Sequence, residues 1–184
     1  KLKALSLVAC FLLLQIPGYS QIKFEATQPD DLVALEMDNG EKIFASYQQS
    51  ENTVVLYRSD YSEWKIIPVD LARKQQFDEL KSVSVNVFNT DPLIEMAYTS
   101  LEYISNYDTE VSTDHVSEKY TLYIVNEKGS MLMEEKDGFH MEVIDTYGTR
   151  KLWVYKQSDR ENKGKDRVDV YSLPDAPVAD LKID

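Results

Sequence analysis

Leu32-Val33-Ala34-Leu35-Glu36-Met37, then Asp38-Asn39-Gly40, then Lys42-Ile43-Phe44-Ala45-Ser46-Tyr47 is the stretch whose reading decides the fold. Two runs of aliphatic and aromatic residues flank an Asn-Gly signal. Such a pair reads as a β-hairpin closed by a type I′ turn, in which both central residues take positive φ. The pattern continues through Ser50-Glu51-Asn52 as the next turn, Thr53 to Arg58 as the next strand, and Ser59-Asp60-Tyr61-Ser62 as a turn into Glu63 to Val69. The sequence therefore predicts a four-stranded antiparallel meander.

Working outward, a second group follows. Asp70 to Leu80 reads as one or two helical turns, with Asp70 as N-cap and Phe77 and Leu80 inward at helical spacing. Val83, Val85 and Val87 then alternate with polar residues, as a half-buried strand requires. Leu93 to Thr99 follows the Asn89-Thr90-Asp91-Pro92 turn. Lys119 to Asn126 follows a polar excursion from Ser100 to Ser117, and Glu127-Lys128-Gly129 turns into Ser130 to Glu134. Tyr103, Ile104 and Tyr107 extend the hairpin arms into the excursion. A third group has three strands: Phe139 to Ile144, Lys151 to Lys156 after Tyr147-Gly148-Thr149, and Arg167 to Leu173 after a charged loop from Ser158 to Asp166. Residues 175–184 read as a tail or linker.

The groups are self-similar. Val55 to Ile66 lies over Leu122 to Met133, and Phe44-Ala45-Ser46-Tyr47 over Met96-Ala97-Tyr98-Thr99. Four-stranded units repeating about every 40 residues are what propeller blades look like. The expected fold is all-β, with antiparallel meanders resembling about three β-propeller blades, or alternatively a β-sandwich or open barrel. Three blades are too few for an ordinary closed propeller. A strand from Gln21 to Ala26 would complete the third group.

The amino terminus reads as a signal peptide over residues 1–20. Lys1 and Lys3 precede the apolar run from Ala4 to Ile16, and Pro17-Gly18-Tyr19-Ser20 supplies the small residues of a cleavage site before Gln21. A run of about 13 residues is short against the roughly 20 needed to span a bilayer. The lipobox outline Leu7-Val8-Ala9-Cys10 sits inside the run rather than at its end. Losing the leader removes Cys10, the sole cysteine, so no disulfide is expected and packing alone must hold the domain, residues 21–174. The formal charge of −12 becomes −14 without the two lysines, which argues against nucleic acid and anionic membrane surfaces as partners. The expected location is secreted or cell-surface, with the periplasm as the alternative.

Several quoted stretches also carry a resemblance. The leader ending Tyr19-Ser20-Gln21, the run Phe88-Asn89-Thr90-Asp91-Pro92-Leu93-Ile94-Glu95-Met96-Ala97-Tyr98-Thr99, the hairpin Val125-Asn126-Glu127-Lys128-Gly129 and the closing Val170-Tyr171-Ser172-Leu173-Pro174 together resemble secreted proteins of Bacteroidota. In that group a propeller-like β region is often followed by a sorting domain for type IX secretion. The resemblance covers most of residues 21–174, and no sorting domain follows Pro174, so it implies either a piece of a longer protein or another export route. It implies no catalytic residues.

Candidate chemistry is sparse. No nucleophile elbow, phosphate-cradling glycine loop or His-Glu-x-x-His stands in the chain. His115 reads as a surface histidine, and His140 as pointing to solvent or accepting a core hydrogen bond. Asp91 and Glu95 are the nearest thing to a hydrolase carboxylate pair. No cofactor is expected. Calcium is the one ion the acidic loops would admit, at Asp159 to Gly164, where Lys163 spoils a ligand position, or at Asp108, Glu110 and Asp114. Twelve tyrosines and two tryptophans offer flat rings with polar edges, the chemistry of sugar binding. Trp64, Trp153, Tyr57, Tyr98, Tyr123 and Tyr155 lie within strands, where filling between sheets explains them. Tyr103 and Tyr107 are the expected ligand-binding residues. The expected role is a secreted, non-catalytic binding or structural module with a glycan or another surface protein as partner. The alternatives are a spacer in a larger secreted protein, or a secreted hydrolase.

Overall fold

The computed structural model describes residues 23–37, 39–108, 113–146, 149–158 and 165–175, with backbone alone at 105–108 and 113–116. Its described elements are eleven β-strands and no helix. Strands β1 (Val33–Glu36), β2 (Lys42–Gln48), β3 (Thr53–Tyr57) and β4 (Glu63–Pro68) make the first sheet in sequence order. The second sheet contains β5 (Gln76–Val85), β6 (Ile94–Asp108), β7 (Thr113–Asn126) and β8 (Met131–Lys136), again in order. The third holds β9 (Gly138–Thr146), β10 (Thr149–Lys156) and β11 (Arg167–Ser172). All pairs are antiparallel.

The sheets are layered face to face with the second in the middle. Ile43, Leu56 and Ile67 of the first sheet meet Met96, Tyr98 and Val125 of the second in one apolar core. Ala97, Leu122 and Ile124 point from the opposite face of the second sheet to Met141, Leu152 and Val154 of the third. Residues 94–100 and 121–126 are therefore buried on both faces, which explains their near-continuous apolar or small composition. The repeat extends to the interfaces: Ala45 opposite Leu56 faces the next sheet just as Ala97 opposite Ile124 does. Aligning Val55 with Leu122 misses this equivalence by one residue, since Leu56 corresponds to Ile124.

Three hairpin loops share one construction. Residues 37 and 41, 58 and 62, and 126 and 130 close three-residue loops, the third loop residue taking positive φ: Gly40 at 80°, Tyr61 at 64° and Gly129 at 77°. The first loop is thus not the two-residue type I′ turn that Asn39-Gly40 suggests, because the left-handed position falls on Gly40 and Asn39 is outside it. Tyr61 has no such freedom, and its ring stacks on Phe44 at 4.9 Å.

Two further expectations are corrected. The predicted helical turns from Asp70 to Leu80 are absent: residues 69–75 are irregular and β5 begins at Gln76. Phe77 and Leu80 do pack inward, but from a strand. Bulges at Asp78 and Lys81 insert one residue each, so Phe77, Leu80, Val83 and Val85 stand on one face at spacings of three, three and two. A doubly bulged strand has the apolar period of a helix. The strand expected from Gln21 to Ala26 is not formed at residues 23–26, and Phe24 is 82% exposed. Residues 21–22, like the leader, lie outside the described residues.

Candidate functional site

Strands β6 and β7 outrun their neighbours. Pairing with β5 ends at Leu101 and pairing with β8 ends at Thr121, so 102–108 and 113–120 continue as a two-stranded ribbon. Register sets Tyr103 opposite Glu118 and Leu101 opposite Tyr120, which puts these four on one face. Tyr103 is 53% exposed there. The Tyr120 hydroxyl donates to Glu118 Oε2 at 3.0 Å, and its ring meets Phe139 edge-on at 6.4 Å. Phe139 comes from β9, so this contact joins the second and third sheets.

Beside these rings lies a cleft of about 480 Å³ lined by Tyr120, Phe139, Glu118, Asp78, Gln157 and Asp166, with Glu79 and Lys81 paired at its edge. Burial, then the Glu118 carboxylate, raises the Tyr120 pKa, so the phenol keeps its proton as a hydrogen-bond donor. Ser158 N–H donates to Asp166 at 2.9 Å, anchoring that wall. Flat ring surfaces surrounded by carboxylates and an amide can stack on one face of a neutral polyhydroxylated ring and accept from its hydroxyls.

Of the residues expected to bind, Tyr103 shares the ribbon face of Tyr120 but does not line this cleft. Tyr107 is further along β6, its backbone opposite Asp114, and its side chain is outside the described residues. Tyr120 and Phe139 were hidden in the sequence as ordinary strand residues. The hairpin register is the signal that finds Tyr120, since once Glu118 opposes Tyr103, Tyr120 must share its face.

The other candidates resolve individually. Glu95 is fully buried and accepts hydrogen bonds from the amides of Val87, Phe88 and Asn89 and the Ser84 hydroxyl, while Asp91 caps its own turn through Leu93 N–H. That pair organises the β5–β6 loop instead of facing a cleft. His140 points outward from the third sheet, 3.5 Å from Glu142. Residues 159–164 and Glu110 lie outside the described residues, as do the side chains of Asp108, Asp114 and His115; no group of metal-ligand type occurs among the described ones. Tyr98 and Tyr123 are buried in the first core and Trp64 packs on it, as expected of fillers, whereas Tyr57, next to the inward Leu56 and opposite Phe44, is buried on the first sheet's outer face. Trp153 and Tyr155 do not fill. Register puts them on the outer face of the third sheet with Val168 and Val170, where Trp153 is 37% exposed.

A second cavity of about 500 Å³ opens between β1 and β5, with Val33, Leu35, Val54, Phe77 and Leu80 on its walls and Asp31, Asp78 and Glu79 at its rim. A third polar feature sits between the second and third sheets. Lys156 Nζ, nearly enclosed, pairs with Glu135 and lies 3.4 Å from Asp169, while the Tyr171 hydroxyl donates to Glu135. Burial alone would raise the Glu135 pKa, but hydrogen bonds from Lys156 and Tyr171 hold it below the usual range. Tyr171 is pushed up to about 12 by burial and then by Glu135.

Compared with known proteins, the chain matches no protein-family model, no curated protein and no solved structure.

Proposed function

We propose that this domain is a non-catalytic glycan-binding module whose contact surface is the ring cluster of Tyr103, Tyr120 and Phe139. The observation that carries the reading is their arrangement. Tyr103 and Phe139 are exposed rings from different sheets; Tyr120 shares the face of Tyr103, meets Phe139 edge-on and donates to Glu118, and Tyr120, Phe139 and Glu118 line a polar cleft. Retention of soluble β-glucan, xylan and mannan in affinity electrophoresis tests it. At least one glycan is expected to retard the protein, with Tyr103→Ala and Phe139→Ala each weakening retention about tenfold, or about 1.4 kcal/mol. Both side chains are more than a third exposed, so thermal midpoints should hold. Retardation by none of the three, or binding indifferent to both variants, would sink the proposal.

A second reading has its own observation. The outer face of the third sheet leaves Trp153, Val168 and Val170 exposed side by side, among the polar His140, Glu142, Lys151 and Ser172. Under this reading the three sheets are consecutive blades of a larger propeller-like region in a secreted protein, exported as the leader and the Bacteroidota resemblance suggest, and the domain serves as a structural spacer. Joining the chain to whatever follows it in its genome and measuring Trp153 fluorescence checks this, since a covering blade would bury the indole and shift its emission to the blue.

A further inference from the structure

The cleft beside Tyr120 is the open end of the second interface. Leu122 lies under the third sheet, and Tyr120 and Glu118 follow it on the same face of β7. Thr99, opposite Leu122, brings Asp78 to that face through a 2.7 Å hydrogen bond. Backbone contacts fix the walls: Asp137 N–H donates to the Tyr120 carbonyl and Gln157 N–H to the Asp137 carbonyl, each at 2.9 Å. The site is therefore formed before any ligand arrives. Its charge is one-sided, because the acidic lining residues are Asp78, Glu79, Glu118 and Asp166 and the sole cation among the lining residues is Lys81. Lys81 pairs with Glu79. The other three carboxylates accept from neutral donors, the Thr99 hydroxyl, the Tyr120 hydroxyl at 3.0 Å and Ser158 N–H at 2.9 Å. Among the described residues these partners hold the carboxylates in place without compensating their charge. Burial, then Glu118 and then Asp78 raise the Tyr120 pKa, so both carboxylates act on the one phenol.

Resting on the reading of this cleft as a glycan site, we infer that its preferred ligand is an amino-sugar polymer with free ammonium groups, a β-linked glucosamine chain. One sugar ring lies against Phe139, and the ammonium groups of the chain meet the carboxylates of Asp78, Glu118 and Asp166. Charge complementarity selects this class of glycan. A uronic-acid chain would meet three like charges, and a neutral chain gains the ring contact and hydrogen bonds alone. Ring contact and charge thus make separate predictions.

Isothermal titration of the intact protein with β-linked hexasaccharides of glucosamine, N-acetylglucosamine and glucose, at low and high salt, tests both. Acetylation removes the charge and keeps the ring. All three chains are expected to bind, the glucosamine chain about tenfold more tightly, as a few exposed ion pairs allow, and high salt should erase that margin. The double variant Asp78→Asn with Glu118→Gln keeps acceptors for Thr99 and Tyr120 and should shrink the margin about threefold. Phe139→Ala should weaken all three. Equal affinity for the three chains overturns the inference and leaves the glycan reading standing, whereas binding of none removes both. Pentalysine bound as tightly as the glucosamine chain, and indifferent to Phe139→Ala, would reveal a site that reads charge without sugar and also overturns the inference. The wild-type comparison decides it even where a variant does not fold.

Discussion

The two interfaces that hold the three sheets together differ in kind. Between the first and second sheets the centre is a ladder of rings. Tyr47 stacks on Phe77 at 4.1 Å, Phe77 on Tyr98 at 5.7 Å, and Tyr98 on Tyr123 at 5.2 Å. Three hydroxyls end on local anchors, at Asn52 Oδ1, the Asp70 carbonyl and Gln75 Oε1. Loop 69–75 is thereby stitched to the ladder, which explains its irregular path in place of a helix. Burial pushes the Tyr98 pKa strongly upward, so that phenol stays a donor.

Between the second and third sheets the contact is close and its polar element is ionic. Asp137, at a φ of 65°, is the single residue between β8 and β9, and the chain changes sheets there. A Cβ on the following Gly138 would stand 3.1 Å from the Glu135 carbonyl oxygen, Leu122 Cβ and Val154 Cγ1. Lys156 and Glu135 then cross-link the layers. Large rings hold sheets apart and leave a groove where the ladder ends; a glycine crossover brings them together and needs its charges paired.

Breaking the ladder should cost most. Tyr98→Ala removes a fully buried ring touching two others, and about 4 kcal/mol is expected from urea unfolding. A loss under about 1 kcal/mol would show that the ladder is not the first interface's centre. Lys156→Ala comes next, at about 3 kcal/mol, because Glu135 and Asp169 are left facing each other without their cation. The double variant Lys156→Met with Glu135→Gln should recover most of that loss. The pH dependence has a defined sign. The folded Glu135 pKa lies below its unfolded value, so its contribution is complete above about pH 4.3 and is lost as pH falls through the folded value. The double variant should therefore have a flatter acid limb than wild type. The smallest effect is Gly138→Ala, about 2 kcal/mol, since a backbone oxygen and a Cβ cannot rotate away from the new methyl. A neutral Gly138→Ala in thermal unfolding would mean that the second interface is looser than its contacts imply.

Much of this was legible in the chain because the signals were local. Turn residues at Asp38-Asn39-Gly40, Ser59-Asp60-Tyr61 and Glu127-Lys128-Gly129 punctuated apolar runs, so strand number and pairing followed, and Tyr103 and Ile104 foretold the long β6–β7 ribbon. Phe77 and Leu80 misled for a physical reason, since bulges change the period of a strand and periodicity alone cannot register an extra residue. Of the candidate site, Tyr103 was readable as an aromatic in a polar excursion. Phe139 was not, because its partner Tyr120 comes from another sheet.

What the sequence determined by itself is the local layer of this protein: an all-β chain whose turns are written in Asn, Gly and Ser and whose strands carry the inward residues. Tertiary structure alone decided which faces meet. Trp153 and Tyr98 both stand in strands paired on both sides, yet one ring is exposed and the other fully buried. The reason is that alternation assigns a side chain to a face, and only the packing of whole sheets determines whether that face has a partner.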